Sequence, residues 1–260
     1  MRIAGLIAAA VFAQAVAMTA QSAAAQTEPN PVIGGNNANI SRWADGTVTY
    51  RVLSTGAVLG TEQWHLTVHP DGTRTMQARN EYGSPGIQRH VILRVDAGFR
   101  PIEAYLQYWT GGKWRGSGLF SVRGNQLSAV ANTPNGVLTH EVAVPDHFSF
   151  IPHPLSTDAW HMWYYDAAAG GDQTITVYDM PGGADGPQAI LGHLYTQTLR
   201  KVGDEDVTTP AGTFPTSHYR INDAVDIYVT GPDAIMVKFA WYPADRVYEL
   251  TRLDRSADAP

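Results

Sequence analysis

The chain of 260 residues carries a net charge of −6, has no cysteine, and only 16% of its residues are charged. The absence of cysteine excludes disulfide bonds, thiolate metal sites and a lipidated N-terminal cysteine. Lysine and arginine are scattered without a basic stripe, which disfavours nucleic acids and other strongly anionic partners. The low charge, together with 25 glycines and 16 prolines, is typical of a β-rich domain with many tight turns.

Residues 1–25 have the features of a secretory signal peptide. A positive start at Arg2 is followed by an almost uncharged run, 3–20, and by alanines at 23–25 that fit a cleavage site. A transmembrane anchor is disfavoured because the run is rich in alanine, ends in polar residues and has no stop-transfer pattern after it. We therefore predict cleavage near Ala25 and a periplasmic or secreted protein with no stable membrane anchor.

Short segments of alternating apolar and polar residues follow a polar, extended arm, 26–41. Their spacing of roughly 8–12 residues, with turn pairs such as Asp71-Gly72 and Asn135-Gly136 between them, is typical of a sandwich or barrel. The predicted strands are 47–53, 61–69, 73–80, 88–96, 102–109, 119–123, 126–131, 137–144, 174–180, 190–201, 217–221, 225–230, 235–241 and 246–253. No long linker divides them, so we predict one β-domain over 42–253 and a loose tail, 254–260.

The segment 140–166 breaks the strand pattern. It interleaves four histidines with aromatic residues, and prolines at 145, 152 and 154 interrupt ladder pairing. Side-chain oxygens at 156–158 offer N-caps for a short helix that ends near Tyr165. We predict that an insert, 145–166, lies across the sheet, and that any functional site lies where the insert meets the sheet.

The insert supplies candidates for acid–base catalysis. Burial among aromatic residues and a neighbouring carboxylate would tune an imidazole for proton transfer near neutral pH. The candidate catalytic residues are His147, His153, His161, Asp158 and Tyr164. The same residues also fit ordinary turn and interface positions, with the imidazoles bonded to backbone carbonyls, and both interpretations stay open.

Aromatic residues concentrate in two segments and predict a pocket for a flat or lipophilic ligand. The candidate ligand-binding residues are Tyr105, Tyr108, Trp109, Trp114, Trp160 and Trp163. The alternative, that they fill the core of a large β-domain, is equally open.

Motifs for metals and cofactors are missing from the sequence. The histidines lack the spacing of known metal sites, and no Gly-rich loop follows a strand and opens a helix. The nucleophile elbow G-x-S-x-G is also absent. We predict no metal and no organic cofactor.

The C-terminal part of the chain resembles a known family. The corner DVTTPAGTF (206–214), the strand and turn DIYVTGP (226–232) and the final strands (236–239 and 246–253) resemble the DUF3108-like exported β-proteins. Those proteins are similar to periplasmic lipoprotein carriers of the outer-membrane sorting type. The resemblance covers about 202–253 and implies a strongly curved antiparallel sheet whose hydrophobic concave face often holds a lipophilic ligand. It carries over no catalytic residue, and 140–166 is not part of its pattern.

These observations predict an all-β fold, a strongly curved antiparallel sheet or open barrel with one short helical insert across it. The predicted function is an exported soluble protein that binds a small hydrophobic or aromatic molecule on the concave face. The alternative is a cofactor-independent lyase, isomerase or hydratase that uses a His/Tyr acid–base pair from 140–166. A structural role in the envelope rests on the export signal alone, and the oligomeric state is left open.

Overall fold

Fifteen strands form one sheet in the part of the chain that the structure describes. The computed structural model describes residues 38–83, 86–180 and 188–256, which all belong to one compact unit, Ile33–Pro260. In chain order the strands are β1 (Arg42–Val52), β2 (Val58–Val68), β3 (Arg74–Tyr82), β4 (Ile87–Val95), β5 (Pro101–Thr110), β6 (Lys113–Arg123), β7 (Gln126–Thr133), β8 (Gly136–Ala143), β9 (Ser149–Ile151), β10 (Asp172–Asp179), β11 (His193–Thr209), β12 (Gly212–Ile221), β13 (Val225–Thr230), β14 (Ile235–Trp241) and β15 (Arg246–Arg255).

The sheet is a meander with its first and last strands side by side. Its order is β8-β7-β6-β5-β4-β3-β2-β1-β15-β14-β13-β12-β11-β10-β9. Neighbours pair antiparallel because short turns join consecutive strands, and the parallel pair of β9 with β10 is the exception. β1 pairs with both β2 and β15, so the two ends of the β-domain meet in the middle of the sheet.

The sheet is strongly curved, and ladder pairing does not close it into a barrel within the described residues. Its two edges are β8 and β9. Side chains connect the two edge regions of the sheet, since the hydroxyl of Tyr178 on β10, next to β9, lies 3.1 Å from Nδ1 of His140 on β8. The predicted fold class, an all-β, strongly curved antiparallel sheet with one short helical insert, is confirmed.

A 3₁₀ helix, Leu155–Tyr164, packs against the inner face of the sheet. It contacts β9, β10, β13 and β14, and its first eight residues are buried. Phe99, from the turn between β4 and β5, packs edge-on against Trp160 and stacks on Trp163, with ring centroids 5.7 and 4.7 Å apart. The hydrophobic core therefore lies between the helix and the inner face of the sheet.

The predicted insert needs two corrections. The side chains at 156–158 do not cap the helix; its N-cap is Pro154, which makes no side-chain hydrogen bond, and all three side chains are buried. The second correction is that the insert does not only cross the sheet. Its residues Ser149–Ile151 form β9 and join the sheet beside β10.

The C-terminal half also differs from the predicted strands. Most of the predicted corner, 206–214, is strand, because β11 runs to Thr209 and β12 begins at Gly212. A bulge between Lys201 and Gly203 shifts the register of β11 and lets this long strand bend. The start of the predicted strand 190–201 is a short α-helix, Gln188–Leu191, which Gly192 ends with a φ of 71°.

Some predicted segments lie outside the described residues. They are the signal peptide, 1–25, most of the arm, 26–37, and the last four residues of the tail, 257–260.

A further 3₁₀ turn, Tyr242–Ala244, connects β14 to β15. Within the three described ranges, no helix has both the length and the apolar character needed to span a bilayer.

Candidate functional site

A row of three polar side chains crosses the mainly apolar inner face of the sheet. Glu62 on β2, Asn80 on β3 and Arg89 on β4 are cross-strand neighbours. Each is in phase with the inward-facing apolar residues of its strand and is buried to 1% exposure or less. Buried polar groups require hydrogen-bond partners, and we call these three residues the polar row.

Arg89 and Asn80 hold the loop that precedes the 3₁₀ helix. One guanidinium nitrogen of Arg89 donates to the backbone oxygens of Pro152, at 2.9 Å, and Met180, at 2.7 Å. The amide nitrogen of Asn80 donates to the backbone oxygen of His153 at 3.0 Å. The polar row therefore fixes the backbone of the insert next to the end of β10.

Glu62 replaces the missing N-cap of the helix. Its carboxylate accepts hydrogen bonds from the backbone N–H groups of Leu155, at 2.8 Å, and Ser156, at 3.0 Å. It also accepts one from the hydroxyl of Tyr50 at 2.5 Å. Burial raises the pKa of Glu62, and the hydrogen bonds from Ser156, Tyr50 and Leu155 oppose that rise. The first turn of the helix thus takes its acceptor from a distant strand.

His153 lies between two carboxyl groups. Its Nε2 is 2.9 Å from Oδ1 of Asp179, and its Nδ1 is 3.8 Å from Oδ2 of Asp158. Its backbone φ of 45° is in the left-handed region, where a side chain is strained. The hydrogen bond from Asn80 to its carbonyl helps to hold that conformation. Two carboxyl groups therefore share a single imidazole.

Burial tunes the two other titratable groups at this point. It raises the pKa of Asp158 well above its usual range, and the carboxylates of Glu62 and Asp179 raise it further. Burial also lowers the pKa of His161 to about 3, so this imidazole is neutral at physiological pH. Nδ1 of His161 lies 2.6 Å from Oγ of Ser149, which orients the ring.

These groups line a cavity of about 380 Å³ between the 3₁₀ helix and the sheet. The volume is in the range of small-molecule sites. The larger apolar and aromatic side chains in its walls are Tyr50, Tyr82, Ile151, Leu155, Tyr195, Ile221, Val225, Phe239, Trp241 and Tyr248. Three buried polar atoms of its lining residues have no hydrogen-bond partner within the described part of the chain: Asp158 Oδ1, His161 Nε2 and Gln197 Nε2.

Among the comparisons with known proteins, one solved structure bears on the fold. No family model and no curated protein matches the chain. Among solved structures, it is similar to a β-barrel-like protein of the domain of unknown function DUF1849 from Brucella abortus. The TM-score is 0.54 at 11% identity, over 84% of this chain and 98% of that one. A DUF1089 family protein from Pseudomonas aeruginosa is more distant, with a TM-score of 0.40 at 12% identity, over 70% of this chain and 90% of that one.

The likeness to the DUF1849 protein shows a shared β-barrel-like fold. The finer resemblance of residues 202–253 to DUF3108-like proteins is supported only to that extent and otherwise stays a prediction.

Three of the five candidate catalytic residues come together. His153, Asp158 and His161 all line the cavity. His147 is exposed and lies beside Tyr164, with ring centroids 5.9 Å apart. Tyr164 is half-buried outside the cavity, and burial raises the pKa of its hydroxyl, with the charge of Asp96 adding to the effect. The structure therefore separates the predicted tyrosine from the histidines that share the cavity.

The six candidate ligand-binding aromatic residues do not share a cavity. Strand alternation sends Tyr108 into the core under Arg89 and leaves Tyr105 and Trp109 on the outer face. Trp160 is buried, and its indole N–H donates to the backbone oxygen of Asp233 at 3.1 Å. Trp163 is 50% exposed, and Trp114 is also exposed. The cavity takes its aromatic walls from other residues.

Several site residues belong to no recognised functional motif. They are the polar row, Asp179 and Gln197. A signal for the polar row does exist in the sequence, because Glu62 is in phase with the apolar set of Trp64 and Leu66 on β2. Asp179 and Gln197 carry a similar signal, since Asp179 is in phase with Val177 on β10 and Gln197 is in phase with Leu199 on β11.

No metal centre is found across 38–83, 86–180 and 188–256. No group of three or more histidine, aspartate or glutamate side chains there is arranged to hold a metal ion. The absence of a metal and of an organic cofactor stays a prediction from the sequence.

Proposed function

We propose that this protein is exported and binds a small, mainly apolar molecule in the cavity between the 3₁₀ helix and the inner face of the sheet. The export part of the proposal rests on the predicted signal peptide, 1–25. The binding part rests on the cavity, whose aromatic and aliphatic walls suit an apolar body.

One observation carries the binding proposal: the three partnerless polar atoms belong to residues that line one cavity. Buried polar atoms without a partner are costly, at about 1–3 kcal/mol each. Asp158, His161 and Gln197 come from the helix and from β11, so their convergence is a product of the tertiary fold. A ligand with a small polar group and an apolar body would bond to these atoms and cover the walls.

Native mass spectrometry of the mature protein from its own host tests the proposal. We expect a stoichiometric small molecule that organic solvent extracts and that partitions as an apolar compound. The same sample reports the mature N-terminus, and a chain that keeps residues 1–25 would contradict the export part.

A cavity-blocking variant supplies the matched test in purified protein. The probe is N-phenyl-1-naphthylamine, whose fluorescence rises in apolar surroundings. Ala224 lines the cavity and Ala57 is exposed in the turn after β1, so Ala224→Phe is compared with Ala57→Phe. We expect Ala224→Phe to weaken probe binding by about tenfold or more and Ala57→Phe to leave it unchanged. Equal binding by both variants would place the probe outside this cavity and contradict the proposal.

A second candidate function is supported by the geometry of His153. Its Nε2 is bonded to Asp179, which would orient the ring, and its Nδ1 points toward Asp158, whose pKa is raised. An imidazole oriented by one carboxylate and placed beside a carboxyl group of raised pKa can move a proton between two positions of a substrate. The strained φ of His153 is of the kind found at active sites. We propose a cofactor-independent lyase, isomerase or hydratase as the alternative to a carrier.

Turnover distinguishes the two functions. An extract of the host periplasm is incubated with the protein, and mass spectrometry follows the loss of any compound and the appearance of its product. His153→Gln keeps a hydrogen bond to Asp179 but cannot transfer a proton, so an enzyme would lose turnover and retain binding. His147→Gln is the control, because His147 is exposed outside the cavity. Binding without any conversion by the wild-type protein would leave the carrier function and contradict the enzyme.

A further inference from the structure

The polar end of the cavity holds more acidic than basic groups. Asp158 and Asp179 are both near the imidazole of His153. The nearby guanidinium of Arg89 donates to the carbonyls of Pro152 and Met180, stacks over the ring of Tyr108 at 4.6 Å, and acts with its charge on both carboxyl groups. With Glu62, three carboxyl groups act at this end of the cavity against one guanidinium and one imidazole, so a cation from another molecule would balance the excess.

The partnerless atoms suit a donor with several N–H groups. Asp158 is 4% exposed, and its Oδ1, which has no partner among the described residues, is an acceptor when the carboxyl is ionised. His161 is 1% exposed, and its Nε2, also without a partner there, is an acceptor when Nδ1–H donates to Ser149. An ammonium group has three donors and no acceptor. An anion at the same place would face the carboxyl groups of Asp158 and Asp179.

The walls of the cavity also favour a cation. Aromatic rings attract an ammonium group through the negative face of the ring system, most strongly where water is excluded. Six aromatic side chains line this cavity: Tyr50, Tyr82, Tyr195, Phe239, Trp241 and Tyr248. A carboxylate at one end and aromatic walls around the rest is an arrangement that recognises organic cations.

We infer that the cavity binds an organic amine as its ammonium ion, with the charged nitrogen at Asp158 and His161 and the apolar part against the aromatic walls. This inference rests on the proposed binding function and names the class of ligand. The amide nitrogen of Gln197, a donor, would bond to a carbonyl or hydroxyl group of the same molecule.

Three probes with the same body and different head groups test the inference. They are 4-phenylbutylamine, 4-phenylbutanol and 4-phenylbutanoate, titrated into the wild-type protein by calorimetry at neutral pH. We expect the amine to bind about tenfold more tightly than the alcohol, and the carboxylate to bind most weakly. Asp158→Asn is expected to remove the advantage of the amine while the affinity for the alcohol changes by about twofold or less. Asp146→Asn makes the same change of charge at an exposed position and is expected to keep the full preference.

The outcomes separate this inference from the proposed function. An alcohol that binds as tightly as the amine, or a carboxylate that binds best, would overturn the amine and leave small-molecule binding in place. A preference for the amine that survives Asp158→Asn would overturn the assignment to Asp158. If none of the three probes binds at up to about 5 mM, both the inference and the proposed function fail. The order of the affinities of the three probes for the wild-type protein decides whether the ligand is an amine, without any variant.

Discussion

His161 shows how burial sets the chemistry of a single residue in this site. The folded protein holds its imidazole neutral, with a pKa of about 3, whereas the unfolded chain has a histidine of ordinary pKa near 6.5. Between these two values the unfolded state binds one more proton than the folded state. By linkage, this residue stabilises the fold above about pH 6.5, and that stabilisation is lost as the pH falls toward about 3.

We expect this linkage to be measurable as a difference between two proteins. From about pH 7.5 to about pH 5, the wild-type protein should lose about 2 kcal/mol more unfolding free energy than His161→Asn. Asparagine can keep the hydrogen bond to Ser149 and does not titrate, so other groups cancel in the difference. Urea unfolding at both pH values gives the free energies.

His147→Asn is the control for that measurement, since His147 is exposed and the composition changes in the same way. It should lose as much stability on acidification as the wild-type protein. Equal losses in the wild type and in His161→Asn would show that His161 is not held neutral in the folded state.

The first turn of the 3₁₀ helix takes its hydrogen-bond acceptor from Glu62 on β2, a strand far from it in sequence. Replacing Glu62 therefore tests this contact between two elements. Glu62→Leu removes the acceptor for two buried N–H groups and for the hydroxyl of Tyr50. We expect a loss of about 3 kcal/mol or more in unfolding free energy, because each buried donor without a partner costs about 1–3 kcal/mol. We also expect faster hydrogen exchange at Leu155 and Ser156.

Glu62→Gln and Glu81→Leu frame that result. Glutamine keeps one acceptor, so it should fall between the wild type and Glu62→Leu. Glu81 is exposed on β3, and its replacement by leucine should change the stability by about 0.5 kcal/mol or less. A Glu62→Leu protein as stable as the wild type would mean that the helix does not need this acceptor.

How much of the site could be predicted from the sequence depends on whether the signal is local in the chain. Alternation is a local property, so β2 and its apolar face were readable, and the insert stood out because it broke the pattern. This break in the pattern identifies His153, Asp158 and His161 as candidate site residues. The role of Glu62 was not readable, since its partner Leu155 is 93 residues away. β9 was missed because it has three residues and pairs in parallel with β10.

At the scale of the whole sheet, two halves meet at one junction. β1 to β8 follow one another to one edge, and β15 to β9 follow one another to the other. β1 and β15 join the halves, and Val48 and Leu250 are fully buried partners across the junction. This junction is formed by the residues furthest apart in the chain, so its closure carries a large entropic cost before its contacts form. A mutation at this junction therefore tests whether the two halves fold cooperatively.

We expect Leu250→Ala to destabilise both halves together. Truncating a fully buried leucine costs about 2–5 kcal/mol, and loss at a junction that both halves require should appear in both. Hydrogen exchange followed by mass spectrometry should show protection falling by a similar factor in β3 and in β12, while the edge strand β8 exchanges quickly in either protein. Leu119→Ala, at an exposed position on β6, should leave the pattern unchanged. Protection lost only in β14, β15 and β1 would mean that the halves open independently. The cavity, whose lining comes from both halves, would then be stabilised by the insert and not by the continuous sheet.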